Sequence, residues 1–136
     1  MNVVIDTSVA IAWYINEQFS QPAREWHEKI LAGRVHAMVP PLHYLEFANV
    51  LRTYVLRREM DKALAADLYA LHLEAPLDVV EPPRAGLLAT ALEYNSTAYD
   101  AAFIALALTY EAPLITAERS TTPWVMKLGK RAVTIG

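Results

Sequence analysis

Short apolar runs recur along this chain, and each is followed by a segment of different, helical periodicity. Asn2 to Ile5, His36 to Val39, Leu77 to Val80, Leu114 to Thr116 and Ala132 to Ile135 are too short for stable helices and read as strands. The first run ends at Asp6-Thr7-Ser8, a helix-entry composition, and predicts a helix to Tyr14 or Ile15. Pro22 suits the first turn of a second helix that ends near Gly33. From Leu42 to Arg58, Tyr44, Phe47, Ala48, Leu51 and Val55 share one helical face. Asp61 can cap a helix running to about Leu73, and two more are expected from about Arg84 to Tyr94 and from Tyr99 to Tyr110. Strands that alternate with helices in this way form a parallel sheet covered on both faces, joined by right-handed crossovers. The expected class is α/β, as one domain over residues 1 to 136, with no repeat or linker.

At 136 residues with 54% hydrophobic and 20% charged side chains, the chain can bury a core without staples. It contains no cysteine, which excludes a disulfide framework and a thiolate metal site. Asp6 interrupts the first apolar stretch, so no signal peptide is expected. The apolar run from Ala101 to Leu108 is far shorter than the roughly 20 residues of a membrane helix, so a cytoplasmic location without membrane association is expected. The net charge of −3 argues mildly against binding nucleic acid by bulk electrostatics. Local clusters of base do exist, at Arg52, Arg57, Arg58 and Lys62 and at Arg119, Lys127, Lys130 and Arg131.

The acids are more informative than the bases. In open α/β sheets, ligands bind beyond the carboxyl ends of the strands. Asp6 follows the first strand directly, and Glu118 lies two residues past Thr116 at the end of the fourth. Asp100 opens a helix, and Glu46 sits one turn inside the helix after the second strand. Each has a plain alternative. Asp6 can cap the helix it precedes, and Asp100 completes a Thr97-x-x-Asp100 capping box. Asp100 leads the apolar stripe of Phe103, Ile104 and Ala107, however, and an acid facing a core needs a partner. Glu46 lies alongside Asn49, Thr53 and Arg57, as on a solvated stripe, and Glu118 alone would be an exposed loop acid.

Together the four point to one chemistry. Carboxylates ~4 Å apart repel by about 4 kcal/mol per pair at an effective dielectric near 20, so a cluster takes up protons or binds a cation. Hard divalent ions prefer oxygen ligands and assist phosphodiester cleavage. Other chemistries lack their residues. His27, His36, His43 and His72 show no zinc spacing and are expected to be structural or surface residues. No nucleophile elbow surrounds any serine, and four glycines build no phosphate loop.

Four segments in order resemble the motifs of PIN domains. Val3-Val4-Ile5-Asp6-Thr7-Ser8 is similar to the opening motif, and Leu45-Glu46-Phe47-Ala48-Asn49-Val50-Leu51 to the segment with the second acid. Tyr99-Asp100-Ala101-Ala102-Phe103-Ile104-Ala105-Leu106-Ala107 resembles the third-acid segment of the VapC-type toxins, and Pro113-Leu114-Ile115-Thr116-Ala117-Glu118 the closing motif. The resemblance implies a three-layer α/β/α sandwich around a central parallel sheet of four to five strands. It also implies a Mg²⁺- or Mn²⁺-dependent endoribonuclease, the toxin of a toxin–antitoxin pair, with a small antitoxin as partner and a homodimer as its assembly. By position, Asp6, Glu46, Asp100 and Glu118 would be catalytic, with Asp6 and Asp100 on the metal. Ser8 and Thr116 would support them, and Arg119 would position the RNA backbone. The helices from Leu42 to Leu73, with Tyr54, Leu56, Leu68, Tyr69 and Leu71, offer apolar surface for a partner or second copy.

The chain departs from the closing motif, which usually has Asp where Glu118 stands; one extra bond extends that carboxylate by roughly 1.5 Å. The departure motivates a second possibility, a PIN-fold module that binds RNA or a protein with little turnover. A haloacid-dehalogenase-type phosphatase ranks below both, because it needs a second Asp where Ser8 stands. A signalling receiver needs a neighbouring acid pair at the first strand, which is missing.

Overall fold

A computed structural model describes residues 1–136. Five short strands, β1 (Asn2–Ile5), β2 (His36–Val39), β3 (Leu77–Val79), β4 (Leu114–Thr116) and β5 (Ala132–Thr134), form one sheet in the order β3-β2-β1-β4-β5. Every pairing is parallel, with Val3 opposite Ala37 and Val4 opposite Leu114. The sheet therefore winds outward in both directions from β1. Successive residues of β1 feed opposite layers, as strand geometry requires. Val3 and Ile5 belong to one core cluster with Val9, Phe47 and Leu51, while Val4 joins Met38, Phe103, Ile104 and Trp124 in the other. Helices α1 (Thr7–Ile11), α2 (Ser20–Leu31) and α3 (Leu42–Leu56) cover the first face, with α4 (Lys62–Leu73) packed on α3. Helices α5 (Leu87–Tyr94), α6 (Ala98–Thr109) and α7 (Pro123–Leu128) cover the second. This is the expected three-layer α/β/α arrangement.

Three elements differ from the sequence-based expectation. Helix α1 ends at Ile11 instead of Tyr14 or Ile15, and turns carry the chain to the next helix. The segment from Arg84 begins as a single 3₁₀ turn, Arg84–Gly86, before α5 starts at Leu87. Helix α7 was not anticipated. Its Thr122-Pro123 entry is a start signal, but six residues are too few to display a period.

Helix α6 sets the depth of the site. Residues Ala101 to Ala107 are all buried, so the helix lies with its first turn at the carboxyl edge of the sheet. The Thr97 hydroxyl accepts the Asp100 N–H at 3.1 Å and caps that turn. The other half of the expected capping box, a bond from the Thr97 N–H to the Asp100 carboxylate, is not formed, although a hydrogen bond with the Thr97 side chain favours the ionised carboxylate.

Candidate functional site

The acids come together at the carboxyl ends of β1 and β4, where the strand order reverses. A cleft of about 330 Å³ is lined by Asp6, Glu46, Asp100 and Glu118, together with Thr7, Ser8, Glu17, Phe19, Val50 and Tyr54. Asp6 arrives on the end of β1, Glu46 on α3, Asp100 on the first turn of α6 and Glu118 on the loop after β4. Residues separated by more than ninety positions thus share one wall.

Asp6 occupies the N-cap position of α1, yet its side chain makes no capping bond. Instead the Thr116 hydroxyl donates to Asp6 Oδ2 at 2.7 Å, and the Glu118 N–H donates to Thr116 Oγ1 at 3.0 Å. The capping alternative is overturned: the carboxylate is turned across the sheet towards β4. Burial pushes the Asp6 carboxyl up to about 7. The Thr116 hydrogen bond pulls against that, and the charges of Asp100, Glu46 and Glu118 push further up. Asp100 is raised by burial and then by Glu118. Glu46 is raised by burial, opposed by its bond from Thr7, and raised again by Asp100.

Of the two residues expected to support the acids, Thr116 touches a carboxylate, that of Asp6; the Ser8 hydroxyl instead accepts the Ala117 N–H at 3.3 Å, tying α1 to the end of β4. Glu46 is half-buried and faces the cleft with Val50 and Tyr54, which overturns its placement on a solvated stripe. Glu118 remains exposed, held at 3.4 Å by the Thr122 hydroxyl, and Arg119 beside it is exposed and outside the cleft lining.

Glu17 was missed by sequence reasoning. It lies between α1 and α2, lines the cleft and accepts a hydrogen bond from Tyr54 at 3.1 Å. No periodicity flags a loop acid. Thr7 was passed over as a helix-entry residue, although it is buried and donates to Glu46 Oε1 at 2.8 Å.

The donor set suits a hard divalent cation. All the charged groups facing the cleft from these elements are carboxylates, and their proton affinity is raised first by burial and further by one another's charge. No group of three Asp, Glu, His or Cys side chains is arranged to hold a metal ion.

A doubly wound parallel sheet with a carboxylate cleft at its switch point has its acids where open α/β folds bind their ligands. The PIN domain family model matches residues 3–120, and the chain belongs to the PIN domain family. PIN domains are generally nucleases that use divalent metal ions. Solved structures share the fold. The protein PAE2754 from Pyrobaculum aerophilum superposes with a TM-score of 0.72 at 22% identity, over 99% of this chain and 92% of that one. A toxin–antitoxin complex from Klebsiella pneumoniae gives 0.63 at 16%, over 98% of each chain. VapBC2 from Rickettsia felis, bound to a DNA fragment from its promoter, gives 0.62 at 12%, over 98% of this chain and 97% of that one. No curated protein matches at a significant level.

Proposed function

We propose that this chain is a Mg²⁺- or Mn²⁺-dependent endoribonuclease and the toxin of a toxin–antitoxin pair. The observation that carries the proposal is the Asp6 carboxyl, held near neutrality in a cleft where acids from three other elements face it. Such a cluster is relieved either by a proton on Asp6 or by a bound cation, and the cation leaves all four carboxylates ionised. Asp6 and Asp100 would hold the ion, Glu46 would complete its shell directly or through water, and Glu118 would assist from the rim. The ion, when bound, supplies Lewis acidity towards a phosphoryl oxygen and lowers the pKa of water. Thr116 fixes the direction of Asp6, and Thr7 that of Glu46. Arg119, exposed next to Glu118, would contact the RNA backbone.

The partner half of the proposal rests on fold likeness to toxin–antitoxin structures and on surface chemistry. Helices α3 and α4 expose Leu45, Leu56, Leu64, Leu71 and Leu73. A groove lined by Ala48, Leu51, Val55, Ala65 and Tyr69, with Arg52 and Lys62 at its edge, runs between them. A small antitoxin and a second copy of the chain are the occupants proposed for this apolar side. No helix is long and apolar enough to cross a membrane, and the proposed setting is the cytoplasm.

The test is cleavage of single-stranded RNA by purified protein with Mn²⁺ or Mg²⁺. Activity that is lost in Asp100→Asn supports the proposal; an Asp100→Asn protein that cuts as fast as the wild type overturns the site assignment. Exposure of Glu118 and the lack of a three-residue metal-ligand group favour the alternative of a catalytically weak module that binds RNA or a protein. Calorimetry that finds no Mn²⁺ uptake, even with RNA present, selects it.

A further inference from the structure

Behind the cleft a row of buried polar groups runs through the helical layer. Thr7 Oγ1, already donating to Glu46, lies 2.9 Å from His43 Nδ1. His43 Nε2 lies 2.7 Å from His72 Nε2, and His72 Nδ1 lies 2.8 Å from the Tyr14 hydroxyl. His43 and His72 are fully buried, and Thr7 is nearly so. The five residues come from α1, the turn after it, α3 and α4.

The hydrogen count admits one polarity while Glu46 is ionised. A carboxylate only accepts, so the single Thr7 hydroxyl proton points at it. Thr7 oxygen then accepts from His43 Nδ1–H. A neutral His43 has Nε2 free as acceptor, so His72 donates from its Nε2–H, and His72 Nδ1 accepts the Tyr14 proton. Every ring nitrogen and every hydroxyl proton from Tyr14 to Thr7 is used once. The rings are held by packing as well: Phe47 stacks on His72 with centroids 4.1 Å apart and planes 8° from parallel. Burial lowers His43 to about 3 and His72 to about 4, with the neighbouring ring adding to the effect at His43, so both are neutral as the count requires.

We propose that Tyr14, His72, His43 and Thr7 form a directional hydrogen-bond chain that aims and holds the Glu46 carboxylate in the cleft. The inference rests on the nuclease reading for its consequence, and His43 and His72 are positioning residues in it. A free glutamate samples several rotamers, and each lost rotamer costs entropy when an ion or substrate binds. A carboxylate already held by a buried, fully satisfied network bears that cost during folding instead. The chain also ties α4, whose one buried residue is His72, to the acid cluster.

Two measurements test it. In metal-free protein at pH 8, nitrogen-15 spectra of the imidazoles read the tautomers without reference to activity. The expected result is His43 protonated on Nδ1, His72 on Nε2, and a His43 Nδ1 resonance that moves in Glu46→Ala. Opposite tautomers, or a His43 signal indifferent to Glu46→Ala, overturn the chain whether or not the protein cuts RNA. In the second measurement, Thr7→Val and His43→Phe are compared with Thr7→Ser. Mn²⁺ affinity and kcat are expected to fall by about tenfold or more in the first two. KM for RNA should stay near the wild-type value, and Thr7→Ser should recover most of the loss. The double variant Thr7→Val/His43→Phe should be no worse than the worse single one, because both cut one chain. Wild-type affinity and kcat in folded Thr7→Val overturn the proposal, and the Thr7→Val and Thr7→Ser pair decides this arm if His43→Phe fails to fold. Wild-type protein that neither binds Mn²⁺ nor cuts RNA removes the nuclease reading and leaves the tautomers to decide the chain.

Discussion

Asp6 stores a conflict that pH exposes. Its carboxyl binds a proton up to about 7 in the folded protein, against 3.8 as the ordinary value. Between those limits the folded state holds more protons than the unfolded one, so metal-free stability falls as pH rises. Integrated over the window, the loss is on the order of 4 kcal/mol as an upper bound. In chelator at pH 8, Asp6→Asn should therefore unfold at higher urea than wild type, by about 1 kcal/mol or more. With Mn²⁺ added the order should reverse, because only the wild type gains from binding. A variant that is less stable in both conditions would show that Asp6 carries no strain. The histidines work the other way. His43 and His72 are neutral in the fold and charge freely when unfolded, so acid destabilises the protein as pH drops from 6.5 towards about 4. Replacing His72 with Phe should flatten that acid limb in a pH series of unfolding curves. Asp6 and Asp100 were legible because a strand end and a helix first turn declare themselves locally. Glu46 was legible only through the family resemblance, since which side of α3 meets the cleft depends on where α1 and the loop around Glu17 pack. His43 and His72 looked scattered because their partners lie 36, 29 and 58 residues away.

The elements were readable where composition changes sharply. All five strands fall within a residue of the apolar runs, and Pro22 and Asp61 mark the starts of α2 and α4. Asp61 stands at the N-cap position of α4 without a side-chain capping bond, so composition located that boundary without the bond that usually explains it. Helix α6 has the capping bond, through Thr97, and also delivers Asp100. Thr97→Ala should cost about 1 kcal/mol in denaturant unfolding, whereas Thr97→Ser should stay close to wild type. If the Asp100 carboxylate depends on that first turn, Mn²⁺ affinity should fall in Thr97→Ala and not in Thr97→Ser; equal affinities would place the cap outside the function of the site. The short α7 and the early end of α1 escaped prediction for one reason: a single helical turn has no second turn against which a period can be seen.

At the scale of the whole molecule, neither strand order nor the direction of winding is written in any one segment. The order follows from crossovers that send β2 and β3 to one side of β1 and β4 and β5 to the other. The apolar side formed by α3 and α4 belongs to this scale too. Light scattering should find a dimer, and Leu64→Glu with Leu71→Glu should yield monomers that keep their thermal stability, since both leucines are exposed in the isolated chain. A wild-type monomer would leave that surface to the proposed antitoxin alone.

Because β1 lies between β2 and β4, the first strand to be synthesised keeps one edge open until nearly the last of the sheet has been made. A growing chain that has emerged through Glu46 carries two of the acids, but Asp6 has no Thr116 to turn it and no Asp100 across from it. On the proposed ribonuclease reading, the growing chain would lack an assembled site for most of its synthesis. That site would be completed only when the stretch around β4 closes against β1.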